Sequence, residues 1–132
     1  RRKAEARFVR AFLFFQATNW YGDVPFFTED IDEATAKTIS PTTQSEIVAW
    51  IHKELEEIAE ILPTKEEYDV TDRGRITAGA AMAMNARIAL NFNEWEKVVQ
   101  YTEKLINTDN FCNSGKLLLV PYTKDFGIIT RF

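Results

Sequence analysis

The fold is decided by the stretch that runs from residue 77 to residue 107, TAGAAMAMNARIALNFNEWEKVVQYTEKLIN. Its first half predicts a helix over about residues 77–91 that is rich in alanine, and such small side chains let neighbouring helix axes approach closely. A turn of two or three residues leads to the next helix, for which Asn93 is the predicted cap and Glu96 occupies the capping-box position. The stretch therefore predicts an antiparallel helix pair whose first member is packed on both sides.

Apolar spacing predicts the buried face of each of the other helices. In the first helix, over about residues 2–20, the predicted buried face contains Ala4, Phe8, Ala11, Phe12 and Phe15, and it is widened by Val9, Leu13 and Trp20. In the second helix, the predicted buried face contains Ile47, Ile51, Leu55, Ile58 and Leu62. In the last helix, it contains Trp95, Val98, Val99, Thr102, Leu105 and Ile106. The opposite face of the second helix, which carries His52 and Glu54, is expected to be solvated.

Capping and breaking residues set the limits of these helices. Thr43 and Glu46 form a capping box at the start of the second helix, and Pro63 prevents its continuation. The first helix is expected to stop at Gly22, and Pro25 keeps the preceding residue extended. The connection from there to about residue 42 is longer than a helical bundle needs, so it is either functional or packed over its neighbours. The sequence thus predicts an all-α fold of about four helices, with a long irregular loop and an irregular or short-β tail (residues 117–120 and 127–130).

Composition restricts the class of protein. The chain has 132 residues, of which 45% are hydrophobic and 27% are charged, and this composition fits one globular domain and excludes a disordered chain. Cys112 is the only cysteine, so neither an intrachain disulfide framework nor a zinc site of several thiolates can form. No apolar run has the length of about 18–20 residues that a membrane-spanning helix requires. The net charge of −4 argues against a nucleic-acid partner.

Charge is unevenly distributed along the chain. Residues 1–28 contain five basic and two acidic side chains, whereas residues 29–72 contain three basic and thirteen acidic side chains. The acidic middle segment is interpreted as a solvated face, with a cation-binding or partner-steering surface as the alternative. The basic residues crowd the start of the first helix, where the positive end of the helix dipole disfavours cations. A natural start of that helix farther upstream is therefore expected.

Few side chains are available for catalysis. His52, the only histidine, is expected to be solvated rather than to act as a general base. Cys112 is expected to be a small buried apolar group rather than a nucleophile. Glu54, Glu57 and Asp69 could supply paired carboxylates for glycoside hydrolysis, but a helix surface lacks the apolar pocket that raises the pKa of an acid. No catalytic residue, metal ligand or cofactor is therefore predicted.

Aromatic side chains around the first loop offer a binding chemistry instead. Trp20 and Tyr21 end the first helix, and Phe26 and Phe27 follow in the loop. Aromatic faces stack on sugar rings, because axial C–H groups present an apolar surface while the edge hydroxyls find polar partners. Trp20 and Tyr21 are therefore the candidate ligand-binding residues. The alternative is that these aromatic residues only pack beneath the loop.

Three motifs occur in a distinctive order. The first is AEARF followed by RAF within residues 4–12, with YGDVP at residues 21–25. The second is an acidic helix that ends in Leu-Pro at residues 62–63. The third is GRITAGAA at residues 74–81, with ARIAL at residues 86–90 and EWEK at residues 94–97. In this order, over residues 4–107, they resemble the SusD/RagB family of outer-membrane nutrient-binding lipoproteins; the tail of residues 113–132 follows no pattern of that family.

The resemblance implies a scaffold of tetratricopeptide-like helix pairs, as one partial domain over residues 1–132. It also implies a non-catalytic, lipid-anchored protein, exposed at the surface of the outer membrane, that binds an oligosaccharide or polysaccharide and caps a TonB-dependent transporter of the SusC type. The matching signature positions are interpreted as structural, and they are Arg7, Tyr21, Gly22, Asp23, Pro25, Gly74, Arg75, Ala86 and Arg87. Family members are several times longer, so the chain is expected to be a fragment without the lipid anchor.

Two other functions stay open. A freestanding tetratricopeptide-like interaction scaffold would bind a peptide rather than a sugar. An enzyme, such as a glycosidase, would hydrolyse its glycan. The order of the three motifs favours the glycan-binding protein over both.

Overall fold

The computed structural model of the protein describes residues 1–72 and 74–107. The elements in chain order are α1 (Arg2–Tyr21), β1 (Val24–Pro25), α2 (Glu33–Ala36), β2 (Pro41–Thr42), α3 (Gln44–Ile61), a 3-10 helix (Val70–Asp72), α4 (Ala78–Asn91) and α5 (Trp95–Asn107). The predicted all-α fold is confirmed. Cys112 and the tail of residues 113–132, with its two predicted β segments, lie outside the described residues.

The four long helices pack in the order α1, α3, α4, α5, each against the next. The main core lies between α1, α3 and α4, and its fully buried side chains include Ala11, Ile47, Ile51, Leu55, Ile58, Ala81 and Ile88. A smaller cluster of Ala86, Ala89, Val98 and Tyr101 joins α4 to α5. The alanine-rich α4 is therefore packed on both sides, as its small side chains predict, and consecutive helices form tetratricopeptide-like pairs.

The buried face of α1 is narrower than its sequence predicts. Ala4, Ala11 and Phe15 are buried as expected. Val9, Leu13 and Trp20 are 48%, 59% and 61% exposed, so the prediction that they widen the buried stripe was wrong. The reason is that α1 is the outermost helix of the stack, and α3 covers it on one side only.

The turn between α4 and α5 also differs from the prediction. Asn93 does not cap α5, because it adopts the left-handed conformation, with a φ of 60°, in the turn that follows α4. The first helical hydrogen bond of α5 instead runs from the N–H of Val98 to the carbonyl of Glu94, at 3.0 Å.

The face of α5 that meets α4 is likewise different. Val98 and Tyr101 face α4. Trp95, Val99 and Ile106 are 60%, 55% and 57% exposed, so their assignment to the inner face was wrong. These three side chains form a second apolar stripe on α5, which flanks the face that meets α4 and is exposed.

The long connection between α1 and α3 is a packed arm. β1 and β2 pair in antiparallel orientation and bring its two ends together. The ring of Phe26 contacts the rings of Phe14 and Trp50, each at 4.9 Å between centroids. Within the arm, Asp32 caps the short helix α2 by accepting a hydrogen bond from the N–H of Thr35, at 3.0 Å. This helical turn was not predicted, because one turn is too short to show helical periodicity.

Candidate functional site

The last turn of α1 presents two aromatic side chains to solvent. Trp20 is 61% exposed and Tyr21 is 76% exposed. By contrast, Phe26 packs into the aromatic cluster beneath the arm, and Phe27 is 43% exposed beside Phe14. Packing beneath the loop therefore accounts for Phe26, whereas Trp20 and Tyr21 have their surfaces available for a ligand.

The backbone beneath these two side chains is fixed by hydrogen bonds. Thr18 is fully buried, and its hydroxyl donates to the carbonyl of Gly22 at 2.8 Å. Nε2 of Gln44 donates to the carbonyl of Thr18 at 2.7 Å, and the N–H of Gln44 donates to Oδ1 of Asp23 at 2.8 Å. Gly22 turns the chain with a φ of 74°, which glycine adopts without a steric penalty. The end of α1 is thus tied to the start of α3.

The end of α4 lies beside the end of α1. Nδ2 of Asn91 donates to Oδ1 of Asn19 at 2.6 Å, and both residues are exposed. Below them, the rings of Phe15 and Phe92 meet edge to face at 6.3 Å between centroids. The ends of α1 and α4 are therefore joined by an amide pair at the surface and by an aromatic contact. The sequence gives no signal for the contact between Asn19 and Asn91, because a contact between residues 72 positions apart leaves no local pattern.

Two glutamates on the acidic face of α3 pair with arginines of α1. Glu54 is only 7% exposed and receives two hydrogen bonds from Arg7, at 2.7 and 2.8 Å, and one from Arg10, at 2.9 Å. Arg7 also donates to Glu57 at 2.6 Å. The prediction that Glu54 is solvated was therefore wrong. The basic start of the chain and its acidic middle segment meet across the interface between α1 and α3.

These contacts also set the protonation state of the acidic side chain. The hydrogen bonds from Arg7, and then those from Arg10, hold the pKa of Glu54 below its ordinary value. A glycosidase acid needs the opposite shift, because it must be protonated near neutral pH. Asp69, the third carboxylate considered for hydrolysis, is exposed and accepts a hydrogen bond from the N–H of Val70 at 2.6 Å.

His52 is buried at the junction of three helices. It is 4% exposed, so the prediction of a solvated histidine was wrong. Nδ1 lies 2.9 Å from Oδ1 of Asn85 on α4, and Nε2 lies 2.8 Å from Oε2 of Glu94 at the start of α5. The ring stacks on Tyr101 with 5.7 Å between centroids. Both ring nitrogens are occupied, so His52 joins α3 to its neighbours rather than facing a substrate.

An arginine from outside α1 also fixes this helix. Arg75, in the segment before α4, donates from Nε and Nη2 to the two carboxylate oxygens of Glu5, at 2.8 and 2.6 Å. This bidentate contact holds the pKa of Glu5 below its ordinary value. Arg7 and Arg75, both signature positions, thus attach the first helix to the rest of the stack.

Three further observations on the described residues bear on function. A groove of about 570 Å³ runs along the outer side of α1, with Val9, Leu13 and Phe27 among its lining residues. Among residues 1–72 and 74–107, no three histidine, cysteine, aspartate or glutamate side chains are grouped so that they could hold a metal ion. No helix in that part of the chain combines the length and the apolar character needed to cross a bilayer.

Comparisons with known proteins agree on one family. Residues 1–90 match a family model named SusD-like and described as starch-binding and associating with the outer membrane. A SusD-like protein of Formosa agariphila is 27% identical over 97 residues, which are 70% of this chain and 17% of that protein.

Solved structures give the same result. A SusD-like carbohydrate-binding protein from Bacteroides fragilis superposes with a TM-score of 0.75 and 25% identity, over 79% of this chain and 20% of that one. Surface glycan-binding protein A from Bacteroides uniformis superposes with a TM-score of 0.67 and 26% identity, over 82% of this chain and 24% of that one. The chain spans about a fifth of the length of these relatives.

Proposed function

This chain belongs to the SusD-like family, described as starch-binding and associating with the outer membrane, and we propose that it binds an oligosaccharide or polysaccharide through Trp20 and Tyr21. The observation that carries the proposal is the exposure of both aromatic side chains on a backbone that Thr18 and Gln44 hold in place. A flat aromatic ring fits the C–H face of a pyranose, and a fixed backbone lowers the ordering penalty of binding.

In this proposal the protein binds its glycan without cleaving it. Glu54 and Glu57 are both engaged by Arg7, and the lowered pKa of Glu54 keeps that carboxyl group ionised. Hydrolysis requires one protonated and one ionised carboxyl group on opposite sides of the glycosidic bond. The carboxylates of α3 therefore favour binding over hydrolysis.

The proposal extends to the place of action. As part of a longer receptor, the chain acts at the surface of the outer membrane, held by a lipid anchor, beside a TonB-dependent transporter of the SusC type. The family description supports the place of action, because it names the outer membrane. The relatives support a longer receptor, because the chain spans only 17–24% of their length. Purification from detergent-solubilised outer membranes should recover such a transporter with the protein. Recovery of the protein without any transporter would contradict the partnership.

Glycan binding is tested by affinity electrophoresis of the 132-residue chain in gels that contain amylopectin, xylan, laminarin or galactomannan. The wild-type protein should be retarded in at least one gel, without release of reducing sugar. The double variant Trp20→Ala/Tyr21→Ala should lose the retardation. Trp95→Ala, which removes another exposed aromatic side chain from a different helix, is the matched control and should behave as wild type. Free migration of the wild-type protein in all four gels, or equal retardation of the double variant, would contradict the proposal.

A further inference from the structure

Both ring nitrogens of the buried His52 face oxygen atoms. Nδ1 lies 2.9 Å from Oδ1 of Asn85, and Nε2 lies 2.8 Å from Oε2 of Glu94. A neutral imidazole carries one proton, so it donates through one nitrogen and accepts through the other. Two oxygen partners therefore require a proton on each ring nitrogen, unless one of the oxygens is itself protonated.

The amide of Asn85 is held in one orientation by a second hydrogen bond. Its Nδ2 donates to the backbone carbonyl of His52 at 3.2 Å, and the residue is only 1% exposed. Turning the amide over would place its oxygen against that carbonyl oxygen, and two buried acceptors that face each other are costly. The amide oxygen therefore faces Nδ1, and Nδ1 is the donor.

The carboxylate of Glu94 is equally committed to accepting hydrogen bonds. Its other oxygen, Oε1, accepts a hydrogen bond from Nζ of Lys97 at 3.0 Å. Burial raises the pKa of Glu94, but the hydrogen bond from Lys97 and the neighbouring His52 outweigh burial and hold this pKa below its ordinary value. An ionised carboxylate has no proton to donate, so Nε2 is a donor as well.

The other groups around the ring also favour a cation. Tyr101 stacks on the imidazole with 16° between the ring planes, and an aromatic face attracts a positive charge. The hydroxyl of Tyr101 donates to Oε1 of Glu56 at 3.0 Å, which brings a second carboxylate near the ring. Of the nearby basic groups, Lys97 bonds to the carboxylate described above, and Nζ of Lys104 lies 5.8 Å from the centroid of Tyr101.

We infer that His52 is a doubly protonated cation in the folded protein at neutral pH, and that its proton controls the attachment of α5 to the rest of the stack. One N–H of the ring bonds α3 to α4 through Asn85, and the other bonds α3 to α5 through Glu94. Loss of one proton leaves a ring nitrogen and an oxygen facing each other as two acceptors.

Helix α5 is the element that yields to this repulsion. α3 and α4 share the main core, whereas α5 is joined to α4 through the small cluster that includes Val98 and Tyr101. The protonated ring thus adds a polar contact where the apolar contact is smallest. This inference is independent of the proposed glycan site.

The direction of the pH effect follows from the two states of the chain. In an unfolded chain, a histidine loses its extra proton near about pH 6.5. The folded contacts favour the protonated ring, so their stabilising effect is complete below that pH. It is lost as the pH rises through the value at which the folded ring releases its proton.

The protonation state is tested by ¹⁵N NMR, because His52 is the only histidine of the chain. At pH 7.5, both ring nitrogens of the wild type should have the chemical shift of a protonated imidazolium. Glu94→Gln should make the ring neutral, since the amide N–H of glutamine can donate to Nε2. Glu96→Gln, which changes an exposed glutamate two residues away, is the matched control and should leave both nitrogens protonated. One unprotonated nitrogen in the wild type at pH 7.5 would refute the inference.

Hydrogen exchange tests the attachment of α5. After correction for the intrinsic effect of pH on exchange, the protection of the α5 amides should fall by about tenfold relative to those of α1 between pH 6 and pH 9. Glu94→Gln should abolish this selective fall. Equal changes in α1 and α5, or the same selective fall in Glu94→Gln, would show that the proton of His52 does not control the attachment of α5.

Discussion

Glu54 joins the two oppositely charged parts of the chain through a single carboxylate. Its side chain is 8% exposed and is bonded to both Arg7 and Arg10. Removing one partner of a buried ion pair leaves the other charge uncompensated, which is far more destabilising than losing a pair at the surface. The basic start and the acidic middle segment of the sequence therefore form ion pairs that hold α1 against α3.

Replacement of this carboxylate measures the strength of the contact. Glu54→Gln should lower the free energy of unfolding by about 3 kcal/mol, because Arg7 and Arg10 lose their buried counter-ion. Glu57→Gln is the matched control, since the side chain of Glu57 is 49% exposed, and it should lower stability by less than about 1 kcal/mol. Urea denaturation measures both values. Similar values for the two variants would contradict the buried ion cluster.

The same carboxylate predicts a pH dependence. The pKa of Glu54 is lower in the folded protein than its ordinary value of 4.5, so its stabilising effect is complete above about pH 4.5 and is lost as the pH falls through the folded value. The difference in unfolding free energy between the wild type and Glu54→Gln should be constant from pH 6 to 8 and should shrink towards pH 3. A difference that does not change with pH would show that Glu54 does not titrate as described.

His52 shows why the burial of some polar residues cannot be predicted from sequence. A polar side chain among glutamates gives the same helical pattern whether its face is solvated or covered by another helix. Here Asn85 and Glu94 supply partners from 33 and 42 residues away. Burial of His52 and Glu54 depends on such distant partners, whereas apolar periodicity reports only on the helix itself.

At the scale of single elements, α1 has one covered side. Phe15→Ala should lower the free energy of unfolding by about 3–5 kcal/mol, because Phe15 is 5% exposed within the core. Leu13→Ala, on the same helix but 59% exposed, should lower it by less than about 1 kcal/mol. Urea denaturation of the two variants tests the orientation of the helix. A larger effect at Leu13 than at Phe15 would mean that the helix is turned differently.

Helix α5 provides an equally direct comparison between adjacent residues. Val98 packs against the cluster shared with α4, whereas Val99 is 55% exposed. Val98→Asp should therefore lower the free energy of unfolding by about 2 kcal/mol or more, because it places a charge against apolar side chains. Val99→Asp should change it by less than about 0.5 kcal/mol. Thermal unfolding measures the stability of both variants. A larger loss of stability in Val99→Asp than in Val98→Asp would contradict the assigned faces.

Features encoded by local sequence were predicted well at this scale. The hydroxyl of Thr43 accepts a hydrogen bond from the N–H of Glu46 at 3.4 Å, which is the N-cap bond of the predicted capping box, and it donates to the carboxylate of Glu46 at 2.8 Å. The alanines of α4 predicted that this helix lies between two others, and it packs against both α3 and α5. The faces of α1 and α5 were predicted less well, because both are outer helices and one of their apolar stripes meets no other described helix.

At the scale of the whole molecule, the stack of helices brings together residues that the sequence keeps apart. The ends of α1 and α4 meet through the hydrogen bond between Asn19 and Asn91. Trp20 and Tyr21 could be proposed from sequence as a sugar-stacking pair. The contact between Asn19 and Asn91 could not be proposed from sequence, since only the packing of α1, α3 and α4 brings these two helix ends together.

The most direct test of glycan binding at this site is an NMR titration that follows the indole N–H signals of the chain's three tryptophans. Trp20 is exposed at the end of α1, Trp50 packs against Phe14 and Phe26 in the aromatic cluster, and Trp95 is exposed at the start of α5. On addition of the glycan that retards the protein in gels, the Trp20 signal should shift in a saturable manner while the Trp50 signal stays in place. A titration in which the glycan binds and the Trp20 signal does not move would contradict the account.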